Sequence, residues 1–214
     1  MLLADIGGTL VGYFKQGGFV MWPLLLLSIL GLVVILERGV TLYIRSRTKT
    51  GELVTKVRRF LREGNPEGGV KACDQYRGPT AAIVKAALLR WDSSREELEK
   101  LLENAAINEI ARLERWIWVL GLIANIAPII GFLGTVVGMI QSFDVIAKQG
   151  LNNPGAVAKG ISVALITTAS GLIVAVFTLP FYNFYMTKVA SYIREMETTA
   201  NIVLEAYDQT QQAS

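Results

Sequence analysis

Five of the eight Ser and Thr residues in two uncharged runs are candidates to line a polar path: Thr135 and Ser142 in the first run, and Ser162, Thr167 and Thr168 in the second. No charged residue occurs between Arg115 and Asp144 or between Lys159 and Lys188, so each run holds 28 uncharged residues. A hydroxyl offers one donor and two acceptor lone pairs, so it can orient water or bond to a titrating partner. It cannot carry a proton by gaining and losing one near neutral pH, and neither run contains a group that can. A proton path along these hydroxyls therefore needs an acid from elsewhere. The competing reading is helix packing in lipid, where small residues let backbones approach and hydroxyls bond across or back to their own carbonyls. Spacing alone leaves both open.

The elements that must position these residues are long. As a helix, 28 residues extend about 42 Å, against a hydrocarbon core of about 30 Å. Both runs are expected to span a membrane. In the first, Ala124, Pro128, Gly131, Thr135, Gly138 and Ser142 recur every three or four positions and predict one small-residue face. In the second, Ala164, Thr168, Gly171 and Ala175 do the same, with Thr167 and Ser170 on the flanks. Gly131, Gly134, Gly138 and Gly171 are the expected helix-packing positions.

Composition agrees with a membrane protein. The chain has 214 residues, 52% of them hydrophobic, and a formal net charge of +3; the mean hydropathy of +0.41 exceeds that of a soluble domain. A single cysteine, Cys73, excludes an intramolecular disulfide and offers no metal cluster, and the absence of histidine removes the commonest proton shuttle. No metal or cofactor is expected.

In chain order, residues 1–18 carry Leu3, Ile6, Leu10 and Phe14 at helical spacing and read as a periplasmic amphipathic helix lying on the membrane surface, retained rather than cleaved as a signal peptide. Residues 19–44 hold the first transmembrane helix, with Phe19 to Leu36 as its apolar part. Glu37 and Arg38 read as interface residues that snorkel, with the helix running on through Tyr43 toward Arg45, Arg47 and Lys49. Residues 45–115 form a helical loop with 15 of the chain's 21 Lys and Arg against 11 acids. This basic excess places the loop in the cytoplasm. Transmembrane helices follow at 116–143 and 160–187, joined by a periplasmic link at 144–159 and ending in a cytoplasmic tail, 188–214. The expected fold is an all-α integral membrane protein with three transmembrane helices, the second and third extended into the cytoplasm, in an N-out/C-in orientation.

Within the loop, Leu53 to Glu63, Gly69 to Tyr76 and Ala81 to Trp91 read as short helices separated by Gly and Pro. Ser93 or Ser94, with Glu96 and Glu97, is a capping signal for a long helix that meets no proline until Pro128, so it should enter the membrane unbroken. Glu109, Arg112 and Arg115 on that helix either line a cytoplasmic vestibule or form a plain solvated face. The tail from Gln209 to Ser214 should fray.

Other classes find little support. There is no phosphate-cradling glycine loop and no nucleophile with a base beside it, so the chain does not read as an enzyme. Basic residues in the loop are mixed with acids and lack interleaved aromatics, which argues against nucleic-acid binding. A solute carrier would need buried charge or an inverted repeat, and neither is visible.

The bipartite stretch APIIGFLGTVVGMIQSF (127–143) and GISVALITTASGLIVAVFTLPFYN (160–183) resembles the signature of the ExbB/TolQ/MotA family of proton-channel proteins, closest to its ExbB/TolQ branch. The resemblance implies a bacterial inner-membrane subunit that uses the proton motive force. It implies a pentamer of this chain in membrane lipid around an ExbD/TolR-like single-span dimer, whose membrane aspartate titrates. The motion would be passed to a periplasm-spanning protein of the TonB or TolA kind. In the family, the threonines of the GLLGTVWG-like and ALLATAxGL-like segments face the pore beside that aspartate. By motif these correspond to Thr135 in GFLGTVVG and Thr168 in ALITTASGL, with Ser142, Ser162 and Thr167 as further lining candidates.

The chain departs from the pattern twice. Val163 in GISVAL stands where relatives often carry glutamate, and Pro180 lies about one turn beyond the usual proline. A MotA-like stator and a passive membrane scaffold are the other readings; four crossings would mark the first, and threonines that serve only packing the second.

Overall fold

The computed structural model describes residues 11–46, 50–63, 65–76, 78–150 and 153–213. Residues 11–16 are helical and a 3-10 turn covers Gly18–Val20; the remainder of the expected surface helix, residues 1–10, lies outside the described residues. Among the described residues, seven helices follow: α1 Met21–Ser46, α2 Thr50–Arg62, α3 Pro66–Asp74, α4 Pro79–Leu88, α5 Arg95–Glu114, α6 Ile117–Gln149 and α7 Pro154–Ala213. No strand occurs among the described residues. Among the described residues, three segments are long and apolar enough to cross a membrane: Gly18–Leu42, Ile117–Gln149 and Pro154–Gln211.

The chain divides into two units, Met1–Leu36 with Trp116–Asn183 and Glu37–Arg115 with Phe184–Ser214. In the first, α6 and the adjoining part of α7 form an antiparallel pair whose contacts run from Ala127 against Gly171 to Ser142 against Gly160. Helix α1 covers one side of this pair. Its Met21 and Leu24 pack with Ala127, and Leu27, Ile130, Ile166 and Val174 close around them. Many large apolar side chains point outward, among them Leu26, Leu32, Phe132, Leu165, Val176 and Phe177. An apolar exterior of this extent suits a lipid solvent.

The second unit is a small helical domain. Helix α2 buries Leu53, Val57 and Leu61, spaced at one turn each, while Lys56 and Arg59 face outward. Asn65 caps α3 by accepting from the Gly68 amide at 2.8 Å, with Pro66 at the first helical position. Ser94 caps α5 by accepting from the Glu97 amide at 3.3 Å, and Glu96 and Glu97 sit in the first turn where the helix dipole favours them. The distal part of α7 docks on these helices through Tyr207, which donates to the Ser93 carbonyl at 2.7 Å and stacks edge-on against Trp91. Arg95 with Asp208 and Arg58 with Glu205 add exposed ion pairs worth little each. This docking carries α7 on as helix to Ala213, where fraying was expected.

The structure corrects the expectation of an unbroken helix from Arg95 into the membrane. Helix α5 ends at Glu114; Arg115 is extended (φ −49°, ψ 129°) and Trp116 is left-handed at φ 68° before α6 starts at Ile117. No glycine or proline marks this break. A second correction concerns Arg38, which does not snorkel. It is 4% exposed, donates to both carboxylate oxygens of Glu37 at 2.5 and 2.9 Å, and extends Nη1 to the Leu113 carbonyl at 3.5 Å. That carbonyl is among the last four of α5, which have no partner within their own helix.

Candidate functional site

The α6–α7 pair is held close by residues without bulk. A Cβ on Gly131 would lie 3.1 Å from the Thr167 carbonyl oxygen and from Thr168 Cα, one on Gly138 2.5 Å from the Gly160 carbonyl oxygen, and one on Gly171 2.5 Å from that of Ala127. Backbone meets backbone at each of these points, so no side chain could move aside. At Gly134 the neighbour is a side chain: Thr167 fills the slot, and a Cβ there would collide with its Cβ at 2.5 Å and with Oγ1.

Gly131, Gly138 and Ser142 on α6 and Ala164, Gly171 and Ala175 on α7 hold their expected places, and each face is turned by about 30–40° from expectation. The seam on α6 runs through Ala127, Gly131, Gly134, Gly138 and Ser142, all buried, while Pro128 and Thr135 fall on its flank. On α7 it runs through Gly160, Ala164, Thr167, Gly171 and Ala175, and Thr168 takes the flank. Thr167 is completely buried and donates to the carbonyls of Val163 and Ala164 at 3.0 and 2.9 Å. Ser142 is also closed in, 3% exposed, donating to Gly138 at 3.1 Å and across the pair to Val157 at 3.0 Å. These two hydroxyls serve the packing of the pair.

Thr135 and Thr168 are placed differently. Both are half-buried. Thr168 donates to its own helix at Ala164 and across the seam to the Gly131 carbonyl, each at 3.1 Å, and Thr135 donates to Phe132 at 2.6 Å. Gly131 is one turn from Thr135, so the Thr168 bond brings the two threonines to the same level of the pair. They also share a side. Ile130 and Ile166 pack on α1, and five residues separate Ile130 from Thr135 and two separate Ile166 from Thr168, rotations of about 140° and 160°. The two threonines thus lie on the flank of the pair that α1 leaves open. Ser162, half-buried, does not join them: it lies six residues before Thr168, about 120° round the helix, and one turn before Ile166 on the α1 side. Val163 is half-buried beside Ala164 and brings no charge to this region.

Glu109, Arg112 and Arg115 belong to the second unit. Arg112 pairs with Glu109 at 3.4 Å; the Glu109 side chain is 15% exposed and that of Arg112 66%, and Arg115 is exposed. A groove of about 590 Å³ runs between α5 and the distal part of α7, floored by Leu102, Ile110, Met196 and Leu204 and edged by Glu99 and Glu197. It includes none of those three residues. Sequence reasoning did not find the Arg38 bond to Leu113, because no local pattern pairs two residues 75 positions apart.

Comparison with known proteins agrees with this architecture. Residues 75–198 match the profile of the MotA/TolQ/ExbB proton channel family. The chain is 31% identical over 190 residues to an ExbB homolog of the biopolymer-transport class in Methanothermobacter thermautotrophicus, covering 89% of this chain and 67% of that one. It is 31% identical over 175 residues to the biopolymer transport protein ExbB of Salmonella typhimurium, covering 73% and 72%. It is also 26% identical over 168 residues to the biopolymer transport protein exbB1 of Vibrio cholerae, covering 76% and 72%. The family match spans more than half of the chain and includes both helices of the threonine-bearing pair, so the protein is a member of the MotA/TolQ/ExbB proton channel family.

Proposed function

We propose that this chain is the ExbB/TolQ-like subunit of an inner-membrane motor driven by the proton motive force. Several copies, five by the family resemblance, surround an ExbD/TolR-like single-span dimer and turn their Thr135 and Thr168 flanks toward it. The dimer supplies the titrating aspartate that the spanning helices of this chain lack. The two hydroxyls orient water and accept from or donate to that carboxyl in its two protonation states. Relative motion of the two sets of helices is then passed to a TonB/TolA-like protein, for outer-membrane transport or envelope maintenance. The N-terminus lies outside and the C-terminus in the cytoplasm, by the basic excess of residues 45–115. In this reading the chain catalyses no covalent chemistry.

The observation that carries the proposal is the separation of roles among the hydroxyls. Thr167 and Ser142 close inside the pair, whereas Thr135 and Thr168 meet on the one flank that α1 leaves open. A scaffold would need only the first two. The test is proton flux into vesicles holding the chain together with its single-span partner, with native mass spectrometry as the control for assembly. Thr135→Val and Thr168→Val should each abolish flux while the copy number is unchanged. Undiminished flux in both variants overturns the proposal.

A further inference from the structure

One polar side chain of the first unit is absorbed neither by the packing seam nor by the two threonines. Asn125 lies on α6 ten residues beyond Arg115 and nineteen before Asp144, so it sits deep within the uncharged run. It is exposed, and one of its amide hydrogens bonds back to the Gly121 carbonyl at 2.7 Å. Its second N–H and its carbonyl oxygen meet no other group among the described residues. It is turned about 140° from Ile130 and so away from α1, and lies about 40° from Gly121, which packs on Tyr182 of α7. Hydrocarbon is the most costly surrounding for an amide in that position, because lipid tails offer no hydrogen bond in exchange for water.

A second amide lies near it. Asn183 on α7 is exposed, 15 residues beyond Thr168 and about 60° from it round the helix. Gly121 packs against the ring of Tyr182, which puts Asn125 and Asn183 toward the same end of the antiparallel pair. Both lie on the half of the pair that carries Thr135 and Thr168.

From this placement we infer that Asn125, with Asn183, forms a second polar tier of the proton pathway, holding water between the threonines and the Ile117 end of the pair. The inference rests on the function proposed above and extends it by a named site. An amide does not titrate, so the tier orders water and leaves the proton's storage to the partner's acid.

The test uses single cysteines in the full chain, in native membranes and with Cys73 replaced by Ala, labelled with a small water-soluble methanethiosulfonate. Leu32→Cys serves as the lipid-facing control at the same depth, because the neighbouring Gly31 packs on Ile123. Asn125→Cys should react at least about tenfold faster than Leu32→Cys, since the reactive thiolate forms in water and not in hydrocarbon. Thr168→Cys separates the possible failures. If it labels and Asn125→Cys reacts as slowly as Leu32→Cys, the tier is overturned and the pathway stands; if neither labels, both fall. Proton flux supplies a second readout: Asn125→Leu should lower it with assembly intact, and Asn125→Ser, which restores a hydrogen-bonding group, should recover most of it. Equal flux in the Leu and Ser variants also overturns the tier.

Discussion

Replacing Gly134 by Ala tests the seam most directly, because the outcome should change sign with the residue opposite. In the native chain the new Cβ would lie 2.5 Å from Thr167 Cβ and closer still to its hydroxyl, about 1 Å inside ordinary contact. The helices cannot simply part, since Gly131 and Gly138 hold backbone to backbone on either side. Overpacking of this kind costs about 1–3 kcal/mol, against a gain of about 1 kcal/mol from replacing Gly by Ala within a helix. The upper part of the range applies because the neighbours are fixed, giving a net loss of about 2 kcal/mol and a midpoint lower by about 4–8 °C. Thr167→Gly empties the same slot and should itself be destabilising, through the cavity and the flexible backbone. Adding Gly134→Ala to Thr167→Gly should then raise stability by about 1 kcal/mol, a coupling of about 3 kcal/mol between the two sites. The assay is thermal unfolding of the four detergent-purified variants followed by far-UV circular dichroism. Equal losses from Gly134→Ala in both backgrounds would refute the placement of Thr167 in the Gly134 slot.

Two further outcomes concern the second unit. Arg38→Met keeps much of the side-chain volume but removes the guanidinium from Glu37 and from the Leu113 carbonyl, so stability should fall by about 1–2 kcal/mol, whereas Glu37→Gln, at a half-exposed carboxylate, should change it by less than about 0.5 kcal/mol; a thermal midpoint unchanged by Arg38→Met would show that the buried guanidinium does not support the end of α5. Burial pushes the Cys73 thiol up from 9.0 to about 11, with Asp74 adding to the effect. Between these values the unfolded chain releases the proton and the folded chain keeps it, so stability should decline as pH rises through that window. Cys73→Ala should remove this part of the alkaline decline in pH-dependent unfolding; an unaltered decline would mean that the thiol is not responsible.

Much of the architecture was legible without coordinates, for reasons that are local. Length and the absence of charge define spanning segments because lipid excludes both charge and unpaired backbone, and no tertiary partner is needed for that argument. The starts of α3 and α5 could be read from Asn65 with Pro66 and from Ser94 with its acids, since capping involves only residues within one turn. The motif singled out Thr135 and Thr168, and the structure shows both half-buried.

What the sequence left open was the rotation of each helix. Adjacent residues differ by about 100° round a helix, and both runs are so rich in small residues that two registers satisfy the same spacing. The run with Pro128 and Thr135 inside and the run with Ala127 and Gly134 inside look alike until a partner backbone is present. The approach of α7 selects the second, with the branched Thr167 filling the slot at Gly134; that choice puts Thr167 inside the pair and Thr168 on its flank. The break at Trp116 and the burial of Arg38 were invisible for the same kind of reason: the bond between Arg38 and Leu113 joins residues 75 positions apart, and only the folded chain brings them together. The residues by themselves determined a helical chain with three segments long and apolar enough to cross a membrane, and hydroxyls where charge is absent. The tertiary structure decided which hydroxyls pack and which face outward, because that depends on what each helix meets across the seam.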